Sequence, residues 1–236
     1  MLKALKVKKV DKKLIIVSSL IFLFFVSLLS IRMGSVEFSY SKIFKVLLSS
    51  EMTVDKNILH NVRLPRIIIA GIVGANLAVA GALLQAVMQN PLADPGLTGV
   101  SSGASLAAII IMLVFPAYTY LVPVVAFAGG AIACGLVYTL AWKNGIKPLR
   151  IVLAGVAVNA ILGGGTSLLS ILYSDRIQGV LMWVNGSISG KSWTDVRVLA
   201  LYSSIGLILS MFCIRKANVL QLGDEMASNL GVDTNK

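Results

Sequence analysis

Charge is what this sequence has least of. Asp, Glu, Lys and Arg make up 13% of its 236 residues, about half the ~25% of a soluble domain. Hydrophobic residues reach 57% and the mean hydropathy is +0.87, so the chain reads as an integral membrane protein. Histidine is almost missing. His60 is the only one, and it reads as a solvated loop residue with no partner for a metal site or a Ser/His/Asp or Cys/His set. The two cysteines, Cys134 and Cys213, lie inside apolar runs and read as small buried hydrophobes, neither a disulfide nor a metal pair. The ten acidic residues form no pair inside an apolar run, which argues against an intramembrane ion or proton relay and a secondary transporter. No glycine-rich stretch is followed by the lysine of a P-loop. No catalytic residue, no metal ligand and no cofactor are therefore expected in this chain.

Positive charge is the exception, at a net +11. It sits between apolar runs and not along one face, so no nucleic-acid partner is expected. Lys3, Lys6, Lys8, Lys9, Lys12 and Lys13 against Asp11 make residues 1–13 a basic tail, which places the N-terminus in the cytoplasm. The uncharged run 14–31 is longer than the core of a cleaved signal peptide and is read as a retained first helix. Residues 32–66 read as a polar loop of mixed charge. Further apolar runs at about 67–89, 97–115, 118–142, 151–173 and 196–214 bring the expectation to an all-α polytopic membrane protein with six transmembrane helices. Residues 14–214 form its membrane domain and 215–236 a cytoplasmic segment. The basic loop Lys143, Lys147, Arg150 agrees with this parity.

The chain is organised around 63–105. Arg63 and Arg66 flank Leu64-Pro65, 23 uncharged residues follow, and then Asn90-Pro91 and Asp94-Pro95-Gly96 break the helix. Gly71, Gly81, Gln85, Leu92-Ala93, Gly99 and Ser102-Gly103-Ala104 complete the pattern. On the second helix Gly74, Ala78, Gly81 and Gln85 share a face, either a close-packing seam or a polar pathway. On the fifth, Gly155, Asn159, Gly163 and Thr166 share a face with the same two readings.

Residues 63–105 resemble the membrane permease subunits of bacterial ABC importers for iron–siderophores, haem and vitamin B12. Leu153-Ala154-Gly155-Val156-Ala157 and the Met182-Trp183, Gly186, Trp193 pattern resemble the same family. The resemblance implies that the fifth helix, with Gly155, Asn159, Gly163 and Thr166, lines the translocation pathway; Gln85 is placed with them on the polar-pathway reading of its own helix, where Asn76 reads equally as an amide joining two helices. The resemblance also implies that the outer loop 174–195 lies near the docking face of a solute-binding protein; Trp183 and Trp193 read equally well as interfacial anchors. Leu222-Gly223-Asp224-Glu225-Met226-Ala227 and Leu230-Gly231 read as a short amphipathic helix with acidic residues at its N-terminus and glycine after its end. In the family this segment couples the permease to its ATPase.

The partners implied are a second permease subunit, a cytoplasmic ABC ATPase dimer carrying ATP and Mg, an extracytoplasmic solute-binding protein, and the lipid bilayer of a bacterial cell membrane. Permeases of this family continue to about ten helices, so the chain corresponds to the N-terminal part of that fold. The expected function is import of an iron–siderophore, haem or cobalamin-like solute. The alternative is a truncated, non-transporting permease remnant or membrane scaffold. The loop at Lys147-Pro148-Leu149 departs from some relatives, and no gate residue is assigned there.

Overall fold

The computed structural model describes residues 11–221 except 50, 52, 144 and 146. Among them there are helices and no strands. Helix α1 covers Lys12–Arg32, α2 Tyr40–Leu48, α3 Val54–Asn57, α4 Leu64–Val87, α5 Val100–Val114, α6 Val122–Ala141, α7 Pro148–Leu172, α8 Ile177–Val184 and α9 Trp193–Leu220. Among the described residues five helical stretches are long and apolar enough to cross a membrane. α5 is shorter, but a 3-10 turn at Pro95–Thr98 precedes it. Turn and helix together reach about 30 Å, the thickness of a bilayer core. This is an all-α polytopic membrane fold.

Two compact units divide the chain. The first comprises Met1–Ile72 and Ile188–Leu201, the second Val73–Ser187 and Tyr202–Lys236.

In the first unit, 32–66 is more than the loop its mixed charge suggests. Phe38, Ile43 and Leu59 are buried together, with Ile31, Val46 and Ile58 packed around them. α3 runs through a π-helix, Ile58–Arg63, directly into α4, where a helix starting at Ile67 was expected. Proline crowds the carbonyl four residues back and has no N–H to give. The turn ahead of Pro65 is widened, with Leu64 N–H bonded to Leu59 C=O five residues back. The helix thus passes a proline without breaking.

Arg63 closes this unit. Its guanidinium donates to the carbonyls of Ile31, Arg32 (2.9 Å) and Val36 and lies 4.8 Å from the centre of the Phe38 ring. The Ile31 and Arg32 carbonyls lie in the last turn of α1, which has no N–H of its own helix to give them, and Val36 lies just beyond it. A Cβ on Gly34 would meet Arg63 Nη2 at 2.6 Å, so any larger residue there would have to push the guanidinium aside. At the other end of the unit, Ser192 and Asp195 start α9. The Ser192 N–H and hydroxyl both donate to Asp195 Oδ2 at 2.9 Å, half of a capping box. Trp193 Nε1 donates to the His60 carbonyl at 2.9 Å, and the two rings lie 5.2 Å apart. His60 is therefore exposed, as expected, but sits in a helix braced by Trp193 and not in a loop.

In the second unit α5, α6 and α7 pack closely. Ala133, Val137 and Val158 are buried at their centre, with Ile151, Ala154 and Leu162 around them. Ile109 and Leu113 of α5 pack with Ile177 and Val180 of α8, so part of the expected outer loop 174–195 is helical. α9 continues past Ile214 to Leu220. Cys134 and Cys213 are exposed, not buried. In a membrane span an apolar side chain is as stable against lipid as against protein, so hydrophobicity alone does not turn it inward.

Candidate functional site

The stripe on α7 divides along its length. Gly155 is buried, Asn159 and Thr166 are half-buried, and Gly163 is exposed, with nothing within 4 Å of where its Cβ would stand. Thr166 Oγ1 donates to Leu162 C=O of its own helix at 3.2 Å. Asn159 does more. Its Nδ2 donates to the Gly96 carbonyl at 2.9 Å, and its Oδ1 accepts from Ser102 Oγ at 2.6 Å. Backbone that leaves the α-helix at membrane depth must find partners in protein or water. Pro95 and Gly96 free that carbonyl, and Asn159 takes it up. One amide thus holds both the 3-10 turn and the first turns of α5 against α7.

The turn is prepared from its own side too. Asp94 Oδ1 accepts the Gly96 N–H at 2.7 Å, and Pro95 occupies the first helical position. Gly99 follows at φ 76° and is buried; a Cβ there would lie 3.2 Å from Val158 Cγ1. Both the backbone angle and the space call for glycine.

Asn159→Leu is expected to lower the stability of the detergent-solubilised chain by about 1–3 kcal/mol, because two hydrogen bonds, to the Gly96 carbonyl and from Ser102, are lost together. That corresponds to a fall in Tm of roughly 3–10 °C. Ser102→Ala, which leaves the Gly96 bond intact, is expected to cost less. Equal melting of wild type and Asn159→Leu would show that the amide carries no load.

Gln85 lies at the far end of α4. That helix stops in a Schellman arrangement: Asn90 N–H bonds to Gln85 C=O at 3.1 Å and Gln89 N–H to Ala86 C=O at 3.2 Å. The left-handed position is filled by Gln89 at φ 50°, where glycine is usual. Asn90 Oδ1 then accepts the Leu92 N–H at 2.9 Å and turns the chain at Pro91. Gln85, Gln89, Asn90, Pro91 and Gln221 line a cavity of about 290 Å³. Among the described residues its lining carries four side-chain amides and no charge. Asn159 and Gln85 do not share this cavity.

The Arg63-Leu64-Pro65-Arg66 motif builds a different place, in the first unit. Pro65 is fully buried. Arg63 is committed to the α1 carbonyls. Arg66 is half-buried, and its Nε has no hydrogen-bond partner among the described residues. Both arginines line a cavity of about 200 Å³ with Ser30, Met33, Gly34 and Val62.

Gly103 belongs to neither cavity. It meets Gly129 of α6 backbone to backbone: a Cβ on Gly103 would stand 2.5 Å from both Ala133 Cβ and the Gly129 carbonyl oxygen. Its role is close packing. The coupling residues Leu222, Gly223, Asp224, Glu225, Met226, Ala227, Leu230 and Gly231 lie outside the described residues.

The sequence singles out Asn76 but not its partner. Asn76 Nδ2 donates to Ser203 Oγ at 2.6 Å, and Ser203 is buried. The amide and the hydroxyl stand 127 residues apart in the chain, with no local pattern to join them. Gln89 and Gln221 carry no mark in the sequence reading; for Gln89, a polar residue at the junction of an apolar run and a proline was the available signal.

Comparison with known proteins accords with this architecture. The FecCD transport family matches residues 20–236. The chain is 36% identical over 217 residues to the Fe(3+)-citrate import system permease protein YfmE of Bacillus subtilis, covering 92% of this chain and 65% of that one. It is 34% identical over 242 residues to the Iron(3+)-hydroxamate import system permease protein FhuG of the same species, covering 97% and 71%. To the Cobalamin import system permease protein BtuC of Halobacterium salinarum it is 39% identical over 180 residues, covering 76% and 49%. The chain thus spans between about half and seven-tenths of the length of these relatives. A solved structure of a metal-chelate type ABC transporter in an inward-facing conformation superimposes with a TM-score of 0.74 at 26% identity, covering 93% of this chain and 68% of that one. With the family pattern running through all of its apolar helices, the chain belongs to the FecCD transport family of multi-pass membrane permease subunits.

Proposed function

We propose that this chain is the permease component of an ATP-driven importer that moves a metal chelate, haem or a cobalamin-like solute into the cytoplasm. The observation that carries the proposal is the match of more than nine-tenths of the chain to permeases of ferric citrate and hydroxamate import systems. In this reading two permease subunits enclose the pathway, and a solute-binding protein delivers cargo from outside. The N-terminus is cytoplasmic, as the six lysines of 1–13 favour.

ATP is hydrolysed on a separate ATPase dimer, which docks on Leu222, Gly223, Asp224, Glu225, Met226, Ala227, Leu230 and Gly231. The open half of the α7 stripe, Gly163 and Thr166, faces the pathway. Asn159, with Gly155 beside it, holds the backbone that shapes the wall. Gln85 stands at the mouth, in the amide-lined cavity.

Deleting the gene in its host and measuring accumulation of iron-55 citrate, an iron-55 hydroxamate, haem and cobalamin tests this directly. Loss of one uptake with the others intact supports the proposal and names the solute. Four unchanged uptakes, in a host lacking a second copy, would sink it. A tagged chain that still retains an ATPase would then favour a non-transporting scaffold.

A further inference from the structure

Helix α2 carries more apolar surface than the protein covers. In helical projection Val46, Ile43, Leu47, Tyr40, Phe44 and Leu48 fill an arc of about 200°, twice the ~100° stripe that faces a core. One side of this arc is used: Ile43 is buried, and Val46 packs on the same cluster with Phe38 and Leu59. The other side is open, with Phe44 69% and Leu48 70% exposed. Ser41, Lys42 and Lys45 take the remaining face, and Lys42 pairs with Asp55 at 2.6 Å.

What covers the open side follows from where the helix starts. α1 spans the membrane, and its outward side chains, such as Leu20 and Phe24, are more than half exposed. Phe38 N–H bonds to the carbonyl of Arg32, the last residue of α1, at 3.3 Å. The Arg32 guanidinium lies 5.2 Å from the centre of the Tyr40 ring. The first turn of α2 is thereby pinned to the level at which α1 leaves the apolar layer. At that level an aromatic and aliphatic stripe bordered by basic residues has the composition of a helix lying in the membrane plane.

We propose that α2 is an interfacial helix whose partner is the lipid surface itself. Phe44 and Leu48 seat among the upper acyl segments, continuous with the lipid-facing side of α1. Arg32 and Lys45 reach the phosphates of anionic headgroups. The helix then acts as an outrigger, fixing the depth of the first unit in the bilayer.

The full chain, with Cys134→Ala and Cys213→Ala, is reconstituted in vesicles of equal parts phosphatidylglycerol and phosphatidylcholine. A bimane label is attached at Leu48→Cys or, as the polar-face control, at Ser41→Cys. Expected is strong quenching at position 48 by a lipid carrying a shallow nitroxide and loss of quenching by aqueous iodide, with the reverse at position 41. Lipid quenching at 48 should fall in pure phosphatidylcholine and in Lys45→Glu. If Leu48→Cys does not fold, Phe44→Cys gives the same readout. Equal iodide quenching at 41 and 48 would overturn the proposal. Shielding of 48 from both quenchers would also overturn it, and would assign the stripe to a protein partner such as a solute-binding protein. Lipid quenching indifferent to phosphatidylglycerol and to Lys45 would remove the anionic headgroup.

Discussion

Gly103→Leu is expected to eliminate the folded, monodisperse form of this protein. α5 and α6 touch through their backbones at this point. A Cβ on Gly103 would stand 2.5 Å from Ala133 Cβ and from the Gly129 oxygen, and a Cβ on Gly129 would stand 2.5 Å from Ala107 Cβ and from the Gly103 oxygen. No rotamer relieves a clash made by Cβ and main chain; the helices must separate. Overpacking of this kind costs about 1–3 kcal/mol for modest insertions. Leucine also forces apart the neighbouring Ala133–Val137–Val158 packing. Small residues at such crossings give membrane helices most of their contact, because lipid offers no hydrophobic drive for association. The expected readout is a shift of the tagged chain from a symmetric to an aggregated peak in gel filtration. Gly103→Ala should show a milder form. Gly135→Ala, also on α6, is the control: nothing lies within 4 Å of its added Cβ, and it should behave as wild type. If Gly103→Ala and Gly135→Ala behave alike, the seam is not what holds α5 to α6.

Reversing Asp224 and Glu225 to lysine in the full-length transporter is expected to abolish uptake without preventing membrane insertion. The sequence pattern puts these carboxylates at the expected start of an amphipathic helix, where negative charge is favoured, on the segment proposed to dock with the ATPase. Charge reversal removes that attraction and sets repulsion in its place. A buried interfacial charge pair lost in this way costs about 2–5 kcal/mol, or upwards of roughly thirtyfold in docking affinity. Gly231→Pro should act similarly by denying the helix its C-terminal turn. Membrane fractionation and co-purification with the ATPase separate the two effects: normal amounts in the membrane, little ATPase retained. Wild-type uptake in either variant would end the assignment of 222–231 as the coupling element.

The apolar runs and their breakers made the long helices legible, since a bilayer rewards uncharged length directly. Pro148, for example, sits at the start of α7, where its missing N–H costs nothing. The region 32–66 was harder to read. Its lysines and arginines suggested a loop, while the 3–4 spacing of Tyr40, Ile43, Phe44 and Leu47 already outlined α2. The passage of helix through Pro65 depends on a π turn, which has no sequence signature. At the candidate site the sequence marked Asn159 as polar in an apolar helix. Its partners, Gly96 and Ser102, lie 63 and 57 residues away, so whether it lines a wall or braces one depends on tertiary structure. Gly103 was legible as a motif residue, but its use as half of a backbone crossing was not.

Arg63 holds the end of α1 by main-chain oxygens alone: those of Ile31 and Arg32 in the helix, with Val36 just beyond it. No residue of α1 is buried, and the hydroxyls of Ser18 and Ser27 turn back to carbonyls of their own helix. The grip is therefore indifferent to which apolar side chains α1 carries. Ile31, at the final turn, is the residue that packs with the cluster around Phe38. Such a helix is an exchangeable part. Its composition can drift over generations, or be swapped for an unrelated apolar segment of equal length, as long as the last turn presents its backbone to the arginine.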